Sequence, residues 1–581
     1  LILNKFLNTK IGGIMLSKLL KGRWCFITIL FLFVVFTIPS ALATQERVVM
    51  KAMEKELNRC FDKLSTVQPH PLYFLGYEIK EIDETRISSS LGTITEDKRT
   101  NSRYLDVDVR VGNNQLDNTH EIRGGIDYSL YIPRIVEVSV EDNETALRQR
   151  IWLETEKRFK QAQDRYTKVL TNKAVKVEEE DLSDDFSKEE PQTYMEAPVK
   201  IGFDPISWKT KLKKFSQVFK EYPEVLNSQV FLSTKSVNRY IVNSEGTKIQ
   251  TGDSYVRLHL SCQGKADDGM DLRRYESFDA SSINGLPEDE EVLKAVHRMI
   301  DELLALREAP LVEPYAGPAI LVNRASGVFF HEIFGHRIEG HRQKSEMEGQ
   351  TFAKKVGEKI LPEFISVYDD ASQKEHNGTF LRGFYKYDDE GVKAQKVIVV
   401  EDGVLKNFLM SRSPVEGFPR SNGHGRREYG RQVVARQGNL IVESQKSVSY
   451  EKLREMLIEE CKKQNKPYGL VFEDISGGFT TTQRYGPQTF KVIPLLVYRV
   501  YSDGRPDEVV RGVDIVGTPL ASFAKIIATG DDYDIFNGTC GAESGWVPVS
   551  AVSPSILVSE IEVEKKMKGQ EKPPILPPPG K

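Results

Sequence analysis

No excess of charge marks this chain. Across 581 residues the net charge is −4, so no broad basic field points to nucleic acid and no acidic surplus points to a disordered, solvating polypeptide. No tandem repeat of fixed period is visible. Cysteine is scarce: of the five, Cys60, Cys262, Cys461 and Cys540 lie beyond the first 43 residues. That density excludes a disulfide scaffold, and with one cysteine on a metal at most one internal bridge can form. Long apolar runs are missing too, apart from one near the N-terminus. Hydrophobic residues nevertheless make up 39 % of the chain, enough for two domains with their own cores.

The one apolar run, "WCFITILFLFVVFTI", spans 24–38. Lys18, Lys21 and Arg23 precede it, and Pro39, Ser40 and Ala41-Leu42-Ala43 follow. A basic start, a short apolar core and a small-x-small exit define a secretory signal peptide. The run is shorter than the roughly 20 residues that span a bilayer. Cleavage is expected after Ala43, with translation starting at Met15 or at an unusual upstream codon. No cysteine stands at the cleavage point, which argues against a lipoprotein anchor. The mature chain is expected to start near Thr44, to keep no stable membrane anchor, and to be periplasmic or secreted.

Residues 45–66 read as an amphipathic helix. From 72 to 140 the pattern turns to strands: "YLDVDVRVG" alternates, and "GTITEDKR" and "GGIDYSLYIP" fit hairpin segments. A charged helix follows at 144–170. The acidic stretch 176–192 reads as an exposed loop. Strands resume at 228–280, with "NSEGT" and "TGDS" as turns, and a helix at 287–309 carries acids in its first turn. "PLVEPYAGP" then breaks the pattern, which places a domain boundary near 310. The second domain opens with the strand "AILV", 319–322, and Ser326 is expected to cap the next helix. Strands and turns follow, among them "KVIVVEDGVLKNFLM" with its Asp-Gly turn, then a helix at 449–464 and the strands "PLLVYRVY" and "SILVSEIEV". Residues 567–581 are proline-rich and expected to be disordered. The expected fold is α+β with large, mostly antiparallel sheets: an N-terminal domain to residue 310 and a C-terminal domain over 311–566.

Three of the nine histidines fall in "HEIFGHRIEGHRQ", residues 331–343. Zinc prefers nitrogen and sulfur ligands in a tetrahedron, and two helical histidines spaced by four share one face. His331 and His336 are five apart, which leaves them about 140° apart on a regular α-helix. A local π widening, at roughly 80° per residue, brings them to about 50°. Gly335 stands where such a bulge is needed. A lone histidine among Val328, Phe329, Phe330, Ile333 and Phe334 would more often be a core residue, but two histidines and a glutamate favour a metal. Glu332 adjoins the first ligand, where a hydrolytic site keeps its general base. For the third ligand the pattern offers His341, which repeats the five-residue interval, and Cys540, a good zinc ligand in the turn-like "NGTCGAESGWVPVS".

At this point the residues resemble a known family. "GVFFHEIFGHRIEGHRQ" is similar to the H-E-x-x-x-H segment of the TldD/PmbA metallopeptidases. The likeness continues in "YDDEGVKAQKVIVVEDGVLKNFLMSR", "SNGHGRREYG", "ISGGF" and "GTCGAESGWVPVSAVSPSILVSEIEV", and covers most of the chain from about 55 to 563. The resemblance implies zinc held by His331, His336 and Cys540, with Glu332 as catalytic base, and gives His341 a supporting or substrate-contacting role. It implies a TldD-like catalytic subunit, flexible or unfolded peptides as substrates, and a dimer, of identical chains or with a relative that lacks the motif. Typical members are cytoplasmic, whereas this chain carries an export signal and is longer.

The expected reaction is peptide hydrolysis by a zinc-activated water, with Glu332 as the base. "GHGRREYG" offers His424, Arg426, Arg427 and Tyr429 as donors to the substrate or its oxyanion. An added peptide strand would suit the sheets. The alternative is a non-catalytic exported binding or scaffold protein with a structural zinc, its site closed by His341 as a fourth ligand. Export and near-neutral charge oppose a DNA-associated role.

Overall fold

Strict alternation of apolar and polar residues drives the first half of the chain into long strands. The computed structural model describes residues 47–123, 132–175 and 181–567, together with 569, 571–576 and 579. The expected leader, and most of "GGIDYSLYIP", lie outside the described residues. Helix α1 (Val48–Leu64) leads into the hairpin β1 (Leu72–Ser90) and β2 (Thr93–Val111). Its turn, Leu91-Gly92, has positive φ at both residues, the twist that a two-residue hairpin needs. After α2 (Glu144–Val175) come β3 (Thr193–Met195) and α3 (Pro205–Gln217). The long strands β4 (Asn227–Asn243), β5 (Lys248–Lys265) and β6 (Asp271–Ala280) then lead to α4 (Asp289–Glu308). The strands form one sheet, ordered β2-β1-β4-β5-β3, with β6 also on β5. Val49, Met53 and Leu57 of α1 and Leu147 and Ile151 of α2 meet Leu75, Ile79 and Leu105 in one core. Leu212 and Phe215 of α3 and Val296 and Ile300 of α4 meet Leu232 and Leu258 in a second.

Two local expectations fail here. "TGDS" is no turn; β5 runs straight through it, because Gly252 lets Asn238 and Val199 pack where a side chain would stand. The acidic stretch is not wholly exposed. Asp185, Phe186 and Ser187 are buried: Phe186 packs edge-on against Phe74, Arg412 donates to the Ser187 carbonyl, and Asp185 accepts from the Asp117 backbone.

The second half builds two sheets around one helix. Strand β7 (Tyr315–Leu321) feeds α5 (Asn323–Ile333). One sheet contains β8 (Ile365–Asp370), β9 (Lys396–Glu401), β10 (Val404–Leu405) and β11 (Asn439–Ser444). After β12 (Ser447–Val448) and α6 (Tyr450–Lys463), the chain makes β13 (Tyr468–Thr480), β14 (Phe490–Tyr501), β15 (Val513–Gly517) and β16 (Ile526–Gly530). It ends with β17 (Asp534–Ala542), β18 (Gly545–Ser553) and β19 (Ile556–Lys565). The first sheet is ordered β10-β9-β8-β11-β18-β17, and the second β12-β16-β19-β15-β14-β13-β7. Because β19 also pairs with β7, strands β7, β13, β14, β15 and β19 close on themselves.

Helix α5 is apolar nearly all round, so it is buried on every side. Phe329 packs edge-on against Phe490, and Phe334 against Phe352 and Phe523. Each such phenylalanine stabilises the core by roughly 1.5–3 kcal/mol. Gly327 lies directly on Ala551 of β18. Ser326 is not the cap: it sits inside α5 and pairs with Ser553. The fold is α+β with large antiparallel and mixed sheets. Among the described residues no helix is long and apolar enough to cross a membrane.

Candidate metal centre

The last turn of α5 presents His331 and Glu332. The helix ends at Ile333, Phe334 turns aside at φ −115°, and a 3-10 turn over Gly335–Ile338 carries His336. The expected π widening does not occur; a break and a tighter turn re-aim His336 instead. Its ring centroid lies 5.1 Å from that of His331. Gly335 also serves another purpose than the one expected. A Cβ there would overlap the side-chain amide of Gln437, so glycine lets that amide pack directly against the turn. Arg337 secures the helix end, donating to the Glu332 carbonyl and to Thr480 Oγ1, which satisfies a terminal helix carbonyl.

The third group arrives on β17, the edge strand of its sheet. Cys540 Sγ lies 3.3 Å from His336 Nε2. The ligating atoms of His331, His336 and Cys540 all fall within 4.8 Å of one another, and all three residues are buried. His341 stays outside this cluster, its Nε2 bonded to Glu543. Two imidazoles and a thiol converging in a buried site form the nitrogen–sulfur donor set that zinc takes. Cys540 forms no disulfide.

Electrostatics suit that donor set. Burial pushes the Cys540 thiol up, but His336, His331 and Arg436 outweigh it and hold the group well below its ordinary value. Burial disfavours charge on His336, yet Cys540 and Glu339 raise it well above its usual value. His336 Nδ1 lies 3.3 Å from Glu339 Oε2. A carboxylate only accepts, so Nδ1 carries a proton; in the neutral ring that a cation would bind, Nε2 is the nitrogen left to hold it. Glu339 is fully buried; burial raises its carboxyl, but His336, Arg342 and Arg436 lower it to about 2. Burial pushes the Glu332 carboxyl up, against the pull of His331 and His336.

The sequence reading missed Glu339, Arg436 and Glu543. Glu339 follows His336 by three and Glu543 follows Cys540 by three, spacings open to inspection. Arg436 lies in no motif.

A cavity of about 1980 Å³ opens onto the centre, lined by His331, Glu332, His336, His341, Cys540, the 476–483 segment and the 534–543 segment. The other four expected substrate contacts lie elsewhere, because each side chain is spent within the fold. His424 is wholly buried on Asp369. Arg426 donates to the Gln437 carbonyl. Arg427 pairs with Glu78 across to β1, and Tyr429 stacks 3.9 Å from Tyr104 of β2. None of the four lines the cavity. Arg427 and Tyr429 join the two halves of the molecule instead, while His424 and Arg426 brace the second half.

Fold and donor set together define an α+β protein with a candidate zinc centre on the wall of a large cavity. Residues 315–565 match the PmbA/TldA metallopeptidase C-terminal domain. A metalloprotease of Methanocaldococcus jannaschii is 25 % identical over 340 residues, 58 % of this chain and 67 % of that protein. A zinc metalloprotease TldD homologue of Saccharolobus solfataricus is 25 % identical over 259 residues, 43 % of this chain and 52 % of the other. The crystal structure of TldE from Thermococcus kodakarensis shares the fold, with a TM-score of 0.59 at 16 % identity, over 88 % of this chain and all of the other. Residues 315–565 therefore form a domain of the PmbA/TldA metallopeptidase type.

Proposed function

We propose that this protein is an exported zinc-dependent peptidase acting on flexible or unfolded peptides. The observation that carries the reading is the meeting of His331, His336 and Cys540 beside Glu332 on the wall of one large cavity. Zinc held by those three side chains supplies Lewis acidity to a carbonyl oxygen and lowers the pKa of a water toward about 7. Glu332 accepts the proton of the attacking water and returns it to the leaving amine. Its buried setting raises its basicity toward that task. His341, oriented by Glu543 on the cavity wall, contacts the substrate. Thr539 and Gly541 flank Cys540 on the edge strand β17, where an extended peptide adds as a further strand and is bound mainly through its backbone.

The apolar leader supports export, and the family resemblance supports a dimer. The non-catalytic alternative needs a fourth ligand, and the engagement of His341 by Glu543 speaks against it. Glu332→Gln is the deciding variant: peptide cleavage falls by 100-fold or more, an order-of-magnitude expectation for a lost general base, while zinc per chain stays that of the parent. Undiminished cleavage by this variant removes the catalytic assignment.

A further inference from the structure

Arg436 is one of the largest fully buried side chains in the molecule. Its guanidinium is divided between the metal centre and the turn that follows Cys540. Nη2 donates to Cys540 Sγ at 3.1 Å and to the Cys540 carbonyl at 2.9 Å. Nη1 donates to Ser544 Oγ at 2.8 Å and to the Gly545 carbonyl at 3.1 Å. Nε lies 3.2 Å from Glu339 Oε1. The other Glu339 oxygen faces His336 Nδ1 at 3.3 Å and Arg342 Nε at 2.8 Å. Cys540, Arg436, Glu339 and His336 thus form a chain whose two ends meet again at the sulfur–imidazole contact.

We propose that Arg436 is the positioning residue of the metal centre: its planar fork fixes Cys540 and, through Glu339, His336 in the arrangement that grips the cation. A cation sealed from water is costly unless it is paired. Here it lies against the Cys540 sulfur and the Glu339 carboxylate at once. Two contacts to one cysteine, through sulfur and carbonyl, orient that side chain. Glu339, paired with Arg436 through one oxygen and facing His336 Nδ1 with the other, ties the orientation of that ring to the guanidinium. A lysine supplies the charge but not the fork. The proposal rests on the ligand assignment and not on catalysis, so it is tested without substrate.

The metal-free full chain and its Arg436→Gln, Arg436→Lys and Glu339→Gln variants are titrated with zinc against a chromophoric chelator. They are then loaded with cobalt(II), and the thiolate-to-cobalt charge-transfer band is recorded. Circular dichroism establishes that each is folded. Expected are a loss of zinc affinity of about 10- to 100-fold for Arg436→Gln and an altered charge-transfer band. Arg436→Lys should fall between parent and Arg436→Gln. The Arg436→Gln/Glu339→Gln double variant should be little worse than the poorer single one, because the two residues act in one chain. Parental affinity in a folded Arg436→Gln protein overturns the proposal. So does a loss of affinity with an unchanged band, which would make Arg436 a prop of the fold. If Arg436→Gln does not fold, Arg436→Lys decides: parental affinity and spectrum there overturn it equally.

Discussion

Gly335→Ala separates two accounts of how His336 is aimed. If glycine serves only as a soft backbone hinge, alanine should be nearly neutral, since φ at this position is not left-handed. The structure predicts otherwise. The added methyl would overlap Gln437 Oε1 and Cδ, far inside contact distance. Gln437 is itself buried, so either the amide or the 3-10 turn must move. Overpacking of this kind costs about 1–3 kcal/mol. A displaced turn also moves His336 away from Cys540, with an expected loss of zinc affinity of about tenfold or more. The check is urea unfolding of the metal-free protein with zinc titration. Gln437→Ala should rescue both quantities in the double variant, because both amide atoms of Gln437 are buried without a hydrogen-bond partner. Its truncation breaks no hydrogen bond and opens the space the methyl needs. A Gly335→Ala protein of parental stability and affinity refutes the reasoning, as does a double variant no better than Gly335→Ala alone.

Other outcomes follow from the same geometry. Tyr429→Leu should lose about 0.5–1.5 kcal/mol of stability through the broken stack on Tyr104 while leaving KM for peptide unchanged. His341→Ala should reduce kcat/KM with little change in zinc content, and steady-state kinetics on one peptide distinguishes the two. Asp389, its side chain 11 % exposed, lies among Lys80, Arg239 and Arg427. Burial raises its carboxyl, but these cations hold it below its ordinary value. A depressed folded-state pKa contributes stability that is complete above the unfolded value of about 3.9 and is lost as pH falls through the folded value. Asp389→Asn should therefore lower stability at pH 7 by about 3–5 kcal/mol and flatten the acid limb of the stability profile, measured by urea unfolding between pH 2 and 7.

Periodicity made much of the fold legible. The alternation in "YLDVDVRVG" places β2, the Asp-Gly pair marks the β9–β10 turn with positive φ at Asp402 and Gly403, and the helices at 48–64 and 289–308 follow their apolar spacing. "TGDS" misled because turn residues also occur where a neighbouring segment packs closely against a strand. The Gly-Arg-Arg-Glu stretch misled for a related reason. Its polar residues read as available donors, yet they are consumed by Glu78, Asp369 and Tyr104, which lie far away in sequence.

Residue type and spacing in the sequence marked out the candidate donors: two histidines and a glutamate in one apolar stretch, with Cys540 and His341 as rivals for the third place. These are matters of residue type and local spacing, which act over a few positions. Tertiary structure alone decided how His336 is turned, which distant residue supplies the charge beneath Cys540, and which polar side chains reach the cavity. Those outcomes depend on Arg436 and Gln437 arriving together from a segment remote in sequence from His336 and Glu339. Close packing fixes them, because a buried side chain must take the one partner and the one space its neighbours leave.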